Sequence, residues 1–276
     1  MPAPNTRAYG QFCGLARALE IIGERWSLLI VRDLVLGPKR YDELQAGLPK
    51  IPPSILSSRL NELEAAGVLR RRVRAELDAG LIYELTQYGS ELDQVLLDLG
   101  LWGARSLHQP GPEDVFTLDS AILSLYTTFR PDVAESVQIN YEIRYDDRMI
   151  IHALVEDGVV KVGEGRFAGA DLVVKVTNGA VMLDLMSGQV SAAEAVRSGK
   201  LAIEGDLADL ELLARLFQVP AAPEPPSGSV VRCVPGPARL RFGRARSRPR
   251  RLATASLRSA VRGLARLSSA RCPGRA

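Results

Sequence analysis

A mainly α-helical segment closed by a β-hairpin, an α+β segment and a basic tail are predicted by three features of this 276-residue chain. Its length exceeds the roughly 150 residues of one ordinary domain. Its charge is divided: residues 1–109 are net 0, residues 110–220 net −9, and residues 221–276 net +12, with 13 arginines and one acid, Glu224. Segments that differ this much meet different partners. The hydrophobic period also changes, from helical spacing to alternation and back to helical spacing, and fades in the tail. The expected domains are therefore 1–109, 110–220 and 221–276. A hydrophobic fraction of 46% with 24% charged residues excludes wholesale disorder. No apolar run approaches the ~18 residues of a membrane span, and the stretch from Met1 to Arg7 lacks the apolar core of a secretory leader. A cytoplasmic chain without a membrane partner is expected. Cys13, Cys233, Cys272, His108 and His152 lie far apart, matching neither zinc-ligand spacing nor a disulfide framework. No metal and no cofactor are expected.

From Gly10 to Val35 the chain reads as a helix pair: Leu15, Leu19 and Ile22 fall three and four apart, and Trp26, Leu28, Leu29, Ile30, Val31 and Leu34 follow. Gly37-Pro38 ends the second helix. Tyr41, Leu44 and Leu48 mark a short helix broken by Pro49, Pro52 and Pro53. Pro53 suits a first helical turn, where its missing N–H costs nothing. Leu56, Leu60 and Leu63 then form one buried stripe that stops at Gly67. Ser54, Ser57, Ser58 and Asn61 lie away from that stripe, as a helix reading a major groove requires. Val68 to Val73 and Leu81 to Leu85 read as two strands around a turn at Leu77-Asp78-Ala79-Gly80. That hairpin is a wing. Between Lys39 and Arg74 stand eight bases and four acids, in a segment of zero net charge. The clustering suits phosphate neutralisation; a solvated charged surface is the plainer explanation of a basic run alone, and the helix-turn-helix-wing order outweighs it. The candidate DNA-binding residues are Lys39, Arg40, Ser54, Ser57, Ser58, Arg59, Asn61, Arg71, Arg72 and Arg74.

Cys13, Ile22-Gly23, Trp26, Leu29, Arg32, Leu36-Gly37-Pro38, Arg40-Tyr41, Glu43-Leu44, Ile51, Leu56, Arg59-Leu60, Leu63, Gly67, Arg71, Tyr83 and Leu85-Thr86 resemble the HxlR family of bacterial winged-helix regulators. The resemblance covers most of Gly10 to Leu107. It implies a homodimer, joined by terminal helices, on pseudo-palindromic operator DNA. Val95 to Leu107, with Leu96, Leu99, Leu101 and Trp102, would supply the later dimer helix. Trp26 and Trp102 read as core or interface aromatics. Family members usually carry proline after the early cysteine and in the wing tip, where this chain has Gly14 and Asp78-Ala79-Gly80. Cys13 occupies a position that senses oxidants or electrophiles in some members; a small buried hydrophobe is the competing role.

In the acidic segment Val137, Ile139, Tyr141 and Ile143 alternate with Gln138, Asn140, Glu142 and Arg144, a half-buried strand. Strands Met149 to Val155 and Val159 to Val162 follow, with turns at Asp146-Asp147 and Asp157-Gly158, so a meander is expected. Leu172 to Val176 and Leu201 to Ile203 are further strands. Val181 to Met186, Ala192 to Val196 and Leu207 to Phe217 read as helices. This is α+β order, with helices on one face of a sheet. Asp146-Asp147 and Glu156-Asp157 read as solvated turns, not catalytic pairs.

Ala170-Asp171-Leu172, Leu185-Met186-Ser187-Gly188, the stretch from Ala193 to Leu201, and Ile203-Glu204-Gly205-Asp206 are similar to the sterol carrier protein superfamily, over roughly Leu118 to Val219. That resemblance implies a five-stranded sheet covered by helices, with an apolar tunnel that accepts lipids or acyl chains in several members. Ile139, Tyr141, Ile151, Val155, Met182, Met186 and Phe217 are the candidate ligand-binding residues; a closed core satisfies the same pattern. Beyond Pro220 the Pro- and Arg-rich tail lacks the apolar area to fold alone and is expected to be disordered, either an arginine-rich arm for DNA or a dispensable extension. No nucleophile stands with a histidine base and no phosphate-binding glycine loop occurs, so no catalytic residue is expected. The expected function is a dimeric transcriptional regulator whose binding of double-stranded operator DNA responds to an apolar, lipid- or acyl-type ligand. The alternatives are a regulator whose second domain is structural or dimerising, with Cys13 as a redox sensor, and a lipid carrier.

Overall fold

Leucines and β-branched residues at helical spacing build the first of two cores. The computed structural model describes residues 8–73, 80–107, 109–111, 113–177 and 180–221. Helix α1 (Gly14–Ile22) leads into α2 (Ser27–Val35), whose Ile30, Val31 and Leu34 are buried. Between them Trp26 takes the left-handed backbone, φ 81°, an uncommon conformation for a bulky residue. The two-residue strand β1 (Lys39–Arg40) precedes α3 (Tyr41–Gly47), where the Glu43 carboxylate accepts the Arg40 N–H at 2.6 Å and satisfies an orphan donor of the first turn. Helix α4 (Pro53–Ala65) has Pro53 at its first position, and Gly67, at φ 75°, follows it as the sequence predicts. Strands β2 (Leu69–Val73) and β3 (Leu81–Leu85) pair antiparallel with Leu69 opposite Leu85 and Arg71 opposite Tyr83. Strand β1 adds to the far edge of β3, giving the order β1-β3-β2. Helices α5 (Gln87–Ser90) and α6 (Asp93–Ala104) complete a winged helix around Ile30, Leu44, Leu56, Leu60, Leu63 and Leu96.

The second core lies between a sheet and the helices on one of its faces. Its elements are α7 (Leu118–Thr128), β4 (Gln138–Arg144), β5 (Ile150–Glu156), β6 (Val159–Glu164), β7 (Leu172–Val176), α8 (Ala180–Met186), α9 (Ala192–Arg197), β8 (Leu201–Glu204) and α10 (Leu207–Leu216). The five-stranded sheet has the order β6-β5-β4-β7-β8. The expected meander holds for β4, β5 and β6, whereas β7 joins β4 parallel and β8 closes the edge antiparallel. Tyr141 reaches α10, its hydroxyl donating to the Asp209 carbonyl at 3.3 Å, and on the same face the Tyr126 hydroxyl of α7 accepts the Val162 N–H at 3.0 Å.

Several expectations need revision. Leu15 and Leu19 are exposed, so the stripe they form on α1 faces away from the core. Glu142, placed by alternation on the solvated face of β4, is buried: it accepts the Phe167 N–H at 2.6 Å and pairs with Arg144. Burial raises its carboxyl pKa, and these two donors outweigh burial to leave it below the ordinary value. The wing turn at residues 77–79, Arg74, His108, and the tail from residue 222, including Cys233 and Cys272, lie outside the described residues.

The two cores meet along α6 and α7. Gly100 of α6 leaves room for Thr127, and Leu36 and Ala104 pack against the second core. Polar contacts fix the junction: Lys39 Nζ lies 3.0 Å from Asp119 Oδ2, Lys50 donates to the Glu113 carbonyl, and Gln109 donates to Asp184 at 3.2 Å.

Candidate nucleic-acid interface

Burying Leu56, Leu60 and Leu63 fixes the orientation of α4, and with it every other side chain on the helix. The opposite face carries Ser54 and Asn61, both exposed, and Ser58, half-buried and donating to Glu62 at 3.1 Å. One flank of α4 looks toward the hairpin. There Ser57 reaches the Tyr41 hydroxyl at 3.3 Å, Tyr41 donates to the Pro53 carbonyl at 2.8 Å, and Arg71 pairs with Glu64. The other flank carries Ile55 and Arg59 and looks toward the turn between α1 and α2.

The candidate cations divide into two sets. Arg70, Arg71 and Arg72 are exposed on β2, and Arg72 lies 3.8 Å from Glu84, which also takes Arg70 at 2.7 Å. Arg40 is forked onto Asp42 at 3.0 Å with its guanidinium still partly open. Such pairs hold a side chain in place and exchange readily for phosphate, because exposed ion pairs are worth little. Arg59 and Lys39 do not fit the expectation of free DNA contacts. Arg59 is 8% exposed and pairs with Glu62 and, at 3.6 Å, with Glu24, so it braces α4 against the α1–α2 turn. Lys39 is tied to Asp119 beside the buried Asp33.

The candidate ligand residues Ile139, Tyr141, Ile151, Val155, Met182, Met186 and Phe217 are brought together, all buried in the second core. Tyr141 and Phe217 meet edge to face, ring centroids 6.4 Å apart, and Phe129 lies on the other side of Phe217 at 5.6 Å. Burial holds the Tyr141 phenol far above its ordinary pKa. Cys13 is exposed at the N-cap of α1, where the Ala16 and Leu15 amides hold its thiol below the ordinary pKa. Within the single chain Cys13 is therefore not a buried hydrophobe.

The HxlR-like helix-turn-helix family matches residues 21–110. The HTH-type transcriptional regulator YtcD of Bacillus subtilis (strain 168) is 35% identical over 106 residues, which cover 38% of this chain and 84% of that protein. This chain belongs to the HxlR-like helix-turn-helix family. A second relative, the HTH-type transcriptional regulator YodB of the same organism, is 36% identical over 94 residues, 34% of this chain and 83% of its own length. The solved reduced form of YodB has 32% identity and a TM-score of 0.32, covering 38% of this chain and all of that one. The HxlR-like match ends at residue 110, so α7 and all that follows it lie outside it.

Proposed function

We propose that this chain is a homodimeric transcriptional regulator that binds double-stranded operator DNA through α4 and the β2–β3 hairpin. The observation that carries this reading is the solvent-facing row Ser54, Ser57 and Asn61 on a helix locked by three buried leucines and flanked by exposed β2 arginines. Small polar groups read base edges, and the arginines supply phosphate contacts without sequence information. The relatives' names, HTH-type transcriptional regulators, support it. Arg71→Ala with Arg72→Ala is expected to weaken binding to every duplex and to lower the slope of log affinity against log salt by about 1 per lost contact. Changes at Ser54 or Ser57 are expected to alter which operator is preferred. Electrophoretic shift titrations on a genomic operator and an unrelated duplex check both, and parent-like binding by both sets would overturn the assignment.

We read residues 1–109 and 110–220 as separate domains, and the second as a binding or structural module without catalysis. Its one-faced, five-stranded sheet supports the likeness to sterol carrier proteins, in which an acyl-type ligand would modulate operator binding. Every candidate ligand residue is buried in the second core, which suits the structural alternative and the walls of an enclosed tunnel alike. The adaptable side chains of Met182 and Met186 on α8 would suit a ligand admitted to that interior. Solvent extraction and mass spectrometry of the purified chain decide between them: a stoichiometric acyl compound supports the sensor, and its absence supports the structural module.

A further inference from the structure

On the flank of α4 away from the hairpin lies a cleft of about 390 Å³, lined by Glu24, Arg25, Trp26, Lys50, Pro52, Ile55 and Arg59. Three of its residues are cationic and one is acidic, and that acid, Glu24, lies 3.6 Å from Arg59. Arg25 and Lys50 are exposed at the rim; the Lys50 ammonium gives one of its three donors to the Glu113 carbonyl and keeps two, and the Arg25 guanidinium stands 5.2 Å from the centre of the Trp26 ring. Arg59 forms a wall. It is more than nine-tenths buried, and its Nε has no hydrogen-bond partner. The left-handed backbone at Trp26 turns the chain sharply into α2, whose N-terminus carries no side-chain cap. The first amide of that terminus, Ser27, is taken by the Glu24 carbonyl at 3.0 Å, so the cations of the rim, and not the helix end, give the cleft its charge.

We propose that this cleft takes a phosphate of the DNA backbone, with Arg25 and Lys50 as the binding residues and Arg59 as a positioning residue. The proposal rests on the DNA-binding reading above and deepens it. A helix lying in a major groove has a phosphate strand on either side. The exposed β2 arginines serve one side of α4 through the hairpin, and the cleft lies on the other. Charge complementarity identifies the occupant, because a rim of two exposed cations beside the buried Arg59, whose Nε is unpartnered, suits an anion and repels a cation. The two clamps straddle α4 and fix its depth and tilt, which is what backbone contacts contribute to recognition.

The test is the salt dependence of duplex binding by the full chain and by Arg25→Gln and Lys50→Gln, with Arg197→Gln, exposed on α9, as control. Each cleft variant is expected to lower the slope of log affinity against log salt by about 0.9 and to weaken operator and unrelated duplexes by the same factor. The control is expected to keep the parent slope. Circular dichroism confirms that each variant is folded, and Arg25→Lys is expected to restore the slope. Cleft variants with the parent slope would overturn the clamp while leaving the wider reading intact. A parent chain with no salt-dependent duplex binding would overturn both. Inorganic phosphate bound by the parent and lost in the variants, with the duplex slope unchanged, would assign the cleft to free anions and overturn the duplex assignment.

Discussion

Asp33 shows how one side chain can set a pH response. It is buried on α2, with Oδ1 taken by Arg32 at 2.7 Å and Oδ2 without a partner. Burial raises its pKa, Arg32 opposes that shift, and the nearby Asp119 adds to it against Lys39. A carboxyl whose pKa is higher folded than unfolded binds its proton more tightly in the folded state. Stability therefore falls as pH rises from the ordinary carboxylate value through the raised one, and the cost is complete above it. Asp33→Asn is expected to flatten that fall in a plot of Tm against pH from about pH 4 upward. An unchanged profile would show that Asp33 is not its source. None of this was legible in the sequence, where Asp33 is one acid beside one arginine; Asp119, which adds to the shift, is brought beside it by a pair with Lys39 across eighty residues of chain. The polar face of α4 was legible, because Leu56, Leu60 and Leu63 define the opposite side of a helix whatever packs on them.

At the scale of elements, α6 presents Val95, Leu99 and Trp102 to solvent, and Trp102 is 70% exposed. The exposed Phe12, Leu15 and Leu19, on and just before α1, form a second apolar set. Apolar residues at helical spacing on two helices of one domain suit an isologous interface. Sedimentation is expected to show a dimer at micromolar concentration, and Trp102→Glu is expected to weaken association by roughly thirtyfold or more, the loss of one aromatic anchor. A parent monomer, or a variant that associates as the parent does, would remove α6 from the interface. Strands β2 to β8 were legible because short runs rich in β-branched and apolar residues, bounded by turns, leave little choice of boundary, and β4 alternates as well. The missed elements had physical reasons. Strand β1 is two basic residues whose structure comes from pairing with β3, some forty residues away. Helix α5 is a single turn held by Thr86, which accepts the Gly89 N–H and donates to the Gly67 carbonyl. Helix α7 did leave a signal: Thr117 and Ser120 cap it reciprocally ahead of Ala121, Ile122 and Leu125.

Across the whole molecule, the junction ties the winged helix to the α+β region through Lys39 and Asp119, whose side chains are about one-fifth exposed or less. A chain ending at Leu107 loses that pair and the packing of α7 on α6. Its remaining core, from Ile30 to Leu96, is complete without them. The fragment is expected to fold with a Tm lower by about 4–8 °C, the shift that ~1 kcal/mol produces in a domain of this size. A fragment that fails to fold would make the α+β region part of the winged helix's own stability. The second core closes differently. Phe129, at the end of α7, bridges to Phe217, at the end of α10, and the Arg130 N–H donates to the Leu216 carbonyl at 2.8 Å. During synthesis the two regions therefore keep different schedules. The winged helix can condense once its own hundred or so residues have left the ribosome. The sheet behind it must wait with Tyr141 and Phe129 uncovered until Phe217 emerges, and in that interval the nascent α+β segment is the part of the chain most in need of a chaperone.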